Sequence, residues 1–389
     1  VKQAWLARLA TASALTLLSG CGVLSWFTST PPKAPPPLAK GEHKVSFSTQ
    51  WQARLYGDWE LEPYQVTRIA VGHGQIVLAD GSGHLMNLSE GGRQRWMRRL
   101  DGHSPRGPSV ADGVVYVGTD AGKVYAFTET DGHKKWEVQL SSEVLTPVTV
   151  TAGHLLVQTV DGRLWSLDPK DGKVQWTFSM NQPTLTLRGL ATPLVRDGVV
   201  YEGFADGNLV AVSLASGAEL WRAPVAIAHG DNELARMVDV AASPVDWHNE
   251  IIAGAYQGNL AAYGGRSGTQ DWSRPMSIYQ TPVIFHDHLF VADAQGRISA
   301  IDPASGTVLW RNDSLTGHYI TGLGACDGDL LATDSGGYLY AIDPKGGHRI
   351  GQEQVSSSGI QSTPVCLPDH QILLMSGAGT LYRVKLEKR

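Results

Sequence analysis

Gly122-Lys-Val-Tyr-Ala-Phe, followed by Gly132 and Trp136, returns as Gly162-Arg-Leu-Trp-Ser-Leu-Asp168 with Gly172 and Trp176. It returns again as Gly296-Arg-Ile-Ser-Ala-Ile-Asp302 with Gly306 and Trp310. The leading glycine of this unit recurs at Gly83, Gly122, Gly162, Gly207, Gly258, Gly296, Gly337 and Gly379, at intervals of 38 to 51 residues. A repeat of that period marks a unit that buries its apolar face only against its neighbours. Two residues after each glycine stands an apolar side chain (Leu85, Val124, Leu164, Leu209, Leu260, Ile298, Leu339, Leu381), and the fourth is usually small, as at Ala126, Ser166 and Ala300. Apolar residues on both faces predict a strand covered on both sides.

One copy shows how the unit is divided. Pro108 to Ala111, Val114 to Thr119, Lys123 to Thr128 and Lys134 to Leu140 are apolar-rich runs separated by Asp112-Gly113, Asp120-Ala-Gly122 and Asp131-Gly132. Asp-Gly between apolar runs predicts a hairpin, because glycine enters positive φ without steric cost. Four antiparallel strands per repeat of about 42 residues make a propeller blade, and eight repeats make eight blades. A tryptophan follows the glycine by 13 or 14 residues at Trp96, Trp136, Trp176, Trp221, Trp272 and Trp310. Repeat seven has Gly351 there, and repeat eight ends before the position is reached. The run Phe47 to Leu55, which carries Trp51, supplies the missing strand by pairing with Gly379 to Leu386 and leaves no open sheet edge. The fold class expected is therefore all-β: an eight-bladed β-propeller of four-stranded antiparallel blades over residues 47–389, closed by the N-terminal strand. The repeated tryptophans are expected to pack between blades.

Composition removes other classes. With 44 glycines in 389 residues and 18% charged residues the chain is no coiled coil, and at 42% hydrophobic it is no disordered chain. The net charge of −5 without a basic run argues against nucleic acid as a partner. Cys21, Cys326 and Cys366 cannot build a disulfide framework. The latter two are expected to be buried thiols, with a disulfide possible in an oxidising compartment.

Residues 1–20 read as a lipoprotein signal peptide: Lys2 and Arg8 precede a short apolar stretch, too short to span a bilayer, that ends in Leu18-Ser-Gly-Cys21. The expectation is lipidation at Cys21 and, with glycine at position 22, an outer-membrane address facing the periplasm. Residues 21–46, centred on Pro31-Pro-Lys-Ala-Pro-Pro-Pro37, read as an extended tether without a core.

Two repeat intervals exceed the rest, and their extra residues follow the tryptophan strand at Ser179–Ala191 and Val225–Ala241. Exits from fourth strands share one face of a propeller. Two long loops that the fold does not need are candidate binding elements. Leu185 and Leu187 around Thr186, with Arg188 following, offer apolar anchors beside a charge. The same leucines could equally pack under their own loop. Glu233 to Met237 is expected to form a short helix.

The unit Gly-x-Leu-x-Ala-Leu-Asp-x-x-x-Gly-x-x-x-Trp resembles the repeat of the pyrroloquinoline-quinone (PQQ) enzymes and their non-enzymatic relatives. Thr184 to Gly189, Ala255 to Leu260, Asp334 to Leu339 and Ser357 to Pro364, with the lipobox-like segment, make the whole chain similar to the BamB family of outer membrane protein assembly factors. The resemblance implies a non-catalytic scaffold of the β-barrel assembly machinery that binds the POTRA domains of BamA, meets other BAM complex subunits indirectly, and assists unfolded outer membrane protein clients. It implies no cofactor and no metal. It places the contact surface on two interblade loops. The family's Leu-x-Leu-Arg is matched by Leu185, Leu187 and Arg188. Its Arg-x-x-Asp-Val-Asp is matched by Arg236 and Asp239, with Ala241 in place of the second aspartate. The alternatives are a PQQ-dependent periplasmic oxidoreductase and a polysaccharide-binding propeller. No nucleophile elbow, His-Glu-x-x-His or phosphate-binding glycine loop occurs. His286-Asp-His288 occupies a strand-one to strand-two turn and is read as solvated rather than metal-binding.

Overall fold

Turn chemistry cuts each repeat into four short strands, and the strands assemble in chain order into eight four-stranded antiparallel sheets. The computed structural model describes residues 34–37, 42–55, 66–188 and 191–389, and all its regular elements are strands. Blades 1 to 7 span 70–99, 109–139, 149–179, 194–224, 245–275, 283–312 and 320–354. Blade 8 combines residues 365–388 with the N-terminal strand Val45–Arg54. Second and third strands are largely buried, as in Val114–Gly118 and Lys123–Thr128, while fourth strands such as Lys134–Gln139 are mostly exposed along the outer rim. The core consists of eight apolar clusters, one at each junction between neighbouring blades.

The tryptophans lock those junctions. Each stands opposite the residue four places after the leading glycine, as Trp136 does opposite Ala126 and Trp176 opposite Ser166, beside a one-residue bulge. The ring then reaches the next blade and lies against the glycine of its third-to-fourth-strand turn. Gly217, at φ +69, is so close that a Cβ there would sit 2.6 Å from the Trp176 ring. The indole N–H donates to a carbonyl of the same turn, from Trp96 to Glu129 O at 2.7 Å, Trp136 to Pro169 O at 3.0 Å and Trp176 to Leu214 O at 2.8 Å. Trp221, Trp272 and Trp310 repeat the bond at Gly265, Pro303 and Pro344.

Closure reuses this register. Val45–Arg54 pairs antiparallel with Thr380–Lys388, and Trp51 stands opposite Arg383 beside the same kind of bulge. Its ring lies against Gly92 of blade 1. One detail differs. Arg383 replaces the usual small residue and donates to Glu90 O at 2.8 Å, the carbonyl that an indole takes at other junctions. The buried Trp51 indole nitrogen is left without a partner.

Blade 7 has Gly351 at the tryptophan position because the following blade has no third-to-fourth-strand turn for a ring to rest on. The start of the closing strand passes there instead: a Cβ on Gly351 would lie 2.7 Å from Val45 O, and Lys44 N donates to Ile350 O at 2.9 Å. This junction carries a covalent link. Cys326 and Cys366, expected as buried thiols, form a disulfide between the first strands of blades 7 and 8, with Cα atoms 5.4 Å apart. Sequence separation hid the pairing; adjacent inner strands bring positions 40 apart side by side. Cys366 is exposed rather than buried.

The proline stretch also departs from expectation. Pro35 is buried, and Pro36 O accepts a hydrogen bond from Arg349 Nη2 at 2.9 Å, so part of the expected free tether lies against blade 7.

Candidate partner-binding surface

Fourth strands leave their blades on the face that also carries the second-to-third-strand turns. There the exits bond back to those turns, Val144 N to Thr119 O at 2.9 Å and Val240 N to Phe204 O at 3.1 Å. The exits at 180–193 and 225–244 are longer than the others, such as 276–282 and 313–319.

These two long loops meet. The Leu187 amide donates to Asp239 Oδ1 at 2.9 Å, and Thr192 N donates to Ser243 Oγ at 2.8 Å. Arg188, at φ +53, forms an ion pair with Glu143 on the preceding exit, 140–148. Three successive exits are thereby laced together through Glu143, Arg188, Leu187 and Asp239. The Arg188–Glu143 pair is largely exposed and adds little stability. Asp239 is different. Its carboxylate is buried and Oδ2 has no partner. Burial pushes its pKa up to about 7, partly offset by the Leu187 amide. Its backbone carbonyl accepts the Tyr256 amide at 2.9 Å, which fixes the loop over blade 5.

Arg236 lies on the same loop and bonds within it, to Gly230 O at 3.0 Å and to Glu233 at 3.7 Å. The helix expected over Glu233 to Met237 is a single hydrogen-bonded turn, in which Arg236 N reaches Asn232 O at 3.2 Å. Four residues give too few such bonds to propagate. Leu185 is exposed and Leu187 half-buried, so the two leucines divide between presentation and loop packing.

Sequence reasoning missed two apolar side chains on the longer loop. Ile227 and Leu234 are 74% and 65% exposed, and Leu185 on the neighbouring loop is exposed as well. The available signal was a pair of isolated apolar residues bracketing the polar run His229 to Glu233 in a loop without a core to fill. Glu143 was missed because its loop has ordinary length.

Cys21 lies outside the described residues. His286 and Asp287 form the expected turn, both at positive φ. Among the described residues no three His, Cys, Asp or Glu side chains gather at metal-binding spacing.

The family model for outer membrane protein assembly factor BamB matches residues 48–139 and 103–312. The assembly factor BamB of Salmonella typhimurium is 31% identical over 380 residues, covering 95% of this chain and 96% of the relative. That of Escherichia coli is 32% identical over 381 residues, with 95% and 96% covered. The crystal structure of BamB from Moraxella catarrhalis superposes with a TM-score of 0.79 at 22% identity, covering 87% of this chain and 99% of that one. A europium-containing methanol dehydrogenase shares the fold, with a TM-score of 0.70 at 10% identity over 87% of this chain and 93% of its own. The match at about one residue in three over nearly the whole length shows that the chain belongs to the family of outer membrane protein assembly factor BamB.

Proposed function

We propose that this propeller is a non-catalytic scaffold of the outer membrane β-barrel assembly machinery, held to the membrane by a lipid on Cys21 and facing the periplasm. Its partner is the POTRA region of BamA, and the docking surface is the laced pair of loops at 180–193 and 225–244. The observation that carries this reading is the Leu187–Asp239 hydrogen bond, which joins the two oversized exits into one element with Leu185, Ile227 and Leu234 exposed on it. Exposed apolar anchors ringed by charges such as Arg188 and Arg236 suit an interface whose core is desolvated and whose rim is polar. The replacement of the family's second aspartate by Ala241 leaves Asp239 as the carboxylate of this corner, and that carboxylate is turned inward to hold Leu187. Asp239 therefore acts through loop geometry, and Arg188 and the apolar side chains make the contact.

The mechanism is positional. A rigid wheel offers fixed loops at low ordering cost, so the partner's domains are oriented rather than chemically altered. The test is a pull-down from detergent-solubilised membranes with Arg188→Glu and Leu185→Glu variants as bait. Loss of BamA with an unchanged melting temperature supports the reading, and wild-type recovery by both variants refutes it.

A further inference from the structure

The outer strand of blade 7 is buried where its counterparts are exposed. Arg349–Gln354 is buried over its first three residues, whereas Lys134–Gln139 and Val174–Ser179 are exposed at their first two. The covering groups belong to the chain's own N-terminal segment. Pro35 is buried there, and Arg349, only 6% exposed, donates to Pro36 O at 2.9 Å. Arg349 is itself built in: it pairs with Gln352 and lies over the Tyr340 ring at 6.0 Å, while the Tyr340 hydroxyl donates to Asp334 at 2.7 Å. Farther along, Lys44 N bonds to Ile350 O and Arg389 N to Lys44 O, continuing the segment into the closing strand. Proline favours such seating, because a stiff segment loses little entropy on docking and its carbonyls are free to accept.

We propose that Arg349 and Tyr340 form a seat for the proline-rich segment, so that the chain departs toward its lipid anchor from the rim of blade 7 rather than from the start of the closing strand. Blade 7 lies four places round the eight-membered wheel from blade 3, whose exit carries Leu185, Leu187 and Arg188. The seat thus turns the rim opposite the docking loops toward the membrane and shortens the free leash by roughly 30 Å, at about 3 Å per extended residue. This orienting role rests on the lipid-anchor reading above.

Two measurements on the full lipidated chain test it. A benzoylphenylalanine photocrosslinker at Pro37, scored in detergent, is expected to join the peptide containing Arg349. That crosslink is lost in Arg349→Ala and in the combined Pro35→Gly, Pro36→Gly variant, which leaves the blades untouched. In vesicles of phosphatidylethanolamine and phosphatidylglycerol carrying a nitroxide lipid, a fluorophore at Glu353→Cys is expected to be quenched more than one at Val174→Cys. The glycine variant is expected to equalise the two. Crosslinks scattered over several blades overturn the seat, and equal quenching with the crosslink intact overturns the orienting role. Failure of the protein to join vesicles while the crosslink persists overturns the lipid anchor itself.

Discussion

The buried carboxylate of Asp239 holds the Leu187 amide at 2.9 Å across the gap between two loops that leave different blades. The bond ties the two loops together through a group whose ionisation shifts on folding. In the unfolded chain Asp239 ionises at its ordinary value of 3.8, whereas in the fold it does so at about 7. The folded state binds the proton more tightly, so this residue's stabilising contribution is complete below pH 3.8 and is lost as pH rises toward 7. Asp239→Asn keeps an acceptor for Leu187 without a charge. Its stability is expected to exceed wild type by about 1–3 kcal/mol at neutral pH, with the gap closing below pH 4. Urea unfolding across that range checks this, and parallel curves for the two proteins would contradict it.

Ile227 and Leu234 are exposed and fill no part of the core, and the proposed docking surface assigns them to binding. Replacing either with glutamate is expected to weaken association with the POTRA region tenfold or more, as central apolar anchors do, at about 1.4 kcal/mol per tenfold change. The melting temperature should stay within the scatter of ordinary surface substitutions. Calorimetric titration alongside thermal unfolding separates the two effects.

Trp176→Ala opens the junction between blades 3 and 4 and is expected to destabilise by about 3–5 kcal/mol. The reverse substitution at the exceptional position behaves differently from what the repeat suggests. Gly351→Trp restores the repeat pattern yet collides with Val45 O, so a loss of about 1–3 kcal/mol is expected instead of a gain. Chemical denaturation of both variants decides the matter.

Reducing the disulfide removes the covalent tie at the junction that lacks a tryptophan. With 40 residues between Cys326 and Cys366, the loss is expected to be about 3–4 kcal/mol. It should appear as a lower melting temperature in dithiothreitol and be reproduced by a Cys326→Ser, Cys366→Ser double variant. Partner affinity is expected to be unchanged, because the bridge lies far round the wheel from Leu187.

The repeat was legible because most blades solve one packing problem with the same residues. Gly122 marks a turn, Ala126 makes room, and Trp136 reaches for the next blade's glycine, so the number of blades follows from counting. The role of Trp51 was legible for the same reason, since its strand keeps the register of the others. The long loops could be found by length, but not their internal wiring. That Arg188 pairs with Glu143, or that Asp239 turns inward to Leu187, depends on how three separate exits settle against one another. The disulfide and the Arg349–Pro36 bond were hidden likewise, because each joins parts of the chain that only the closed circle brings together.

That circle has a temporal consequence. The closing strand Val45–Arg54 is synthesised long before its partner at Thr380–Lys388. Until then blade 8 lacks its outer member and the Trp51 ring has no settled place against Gly92. Such a distant contact is slow to form and leaves an unpaired edge exposed while it is awaited. A newly made copy must therefore stay open until that stretch arrives, a window in which chaperones or proteases reach the unpaired edge before its partner does.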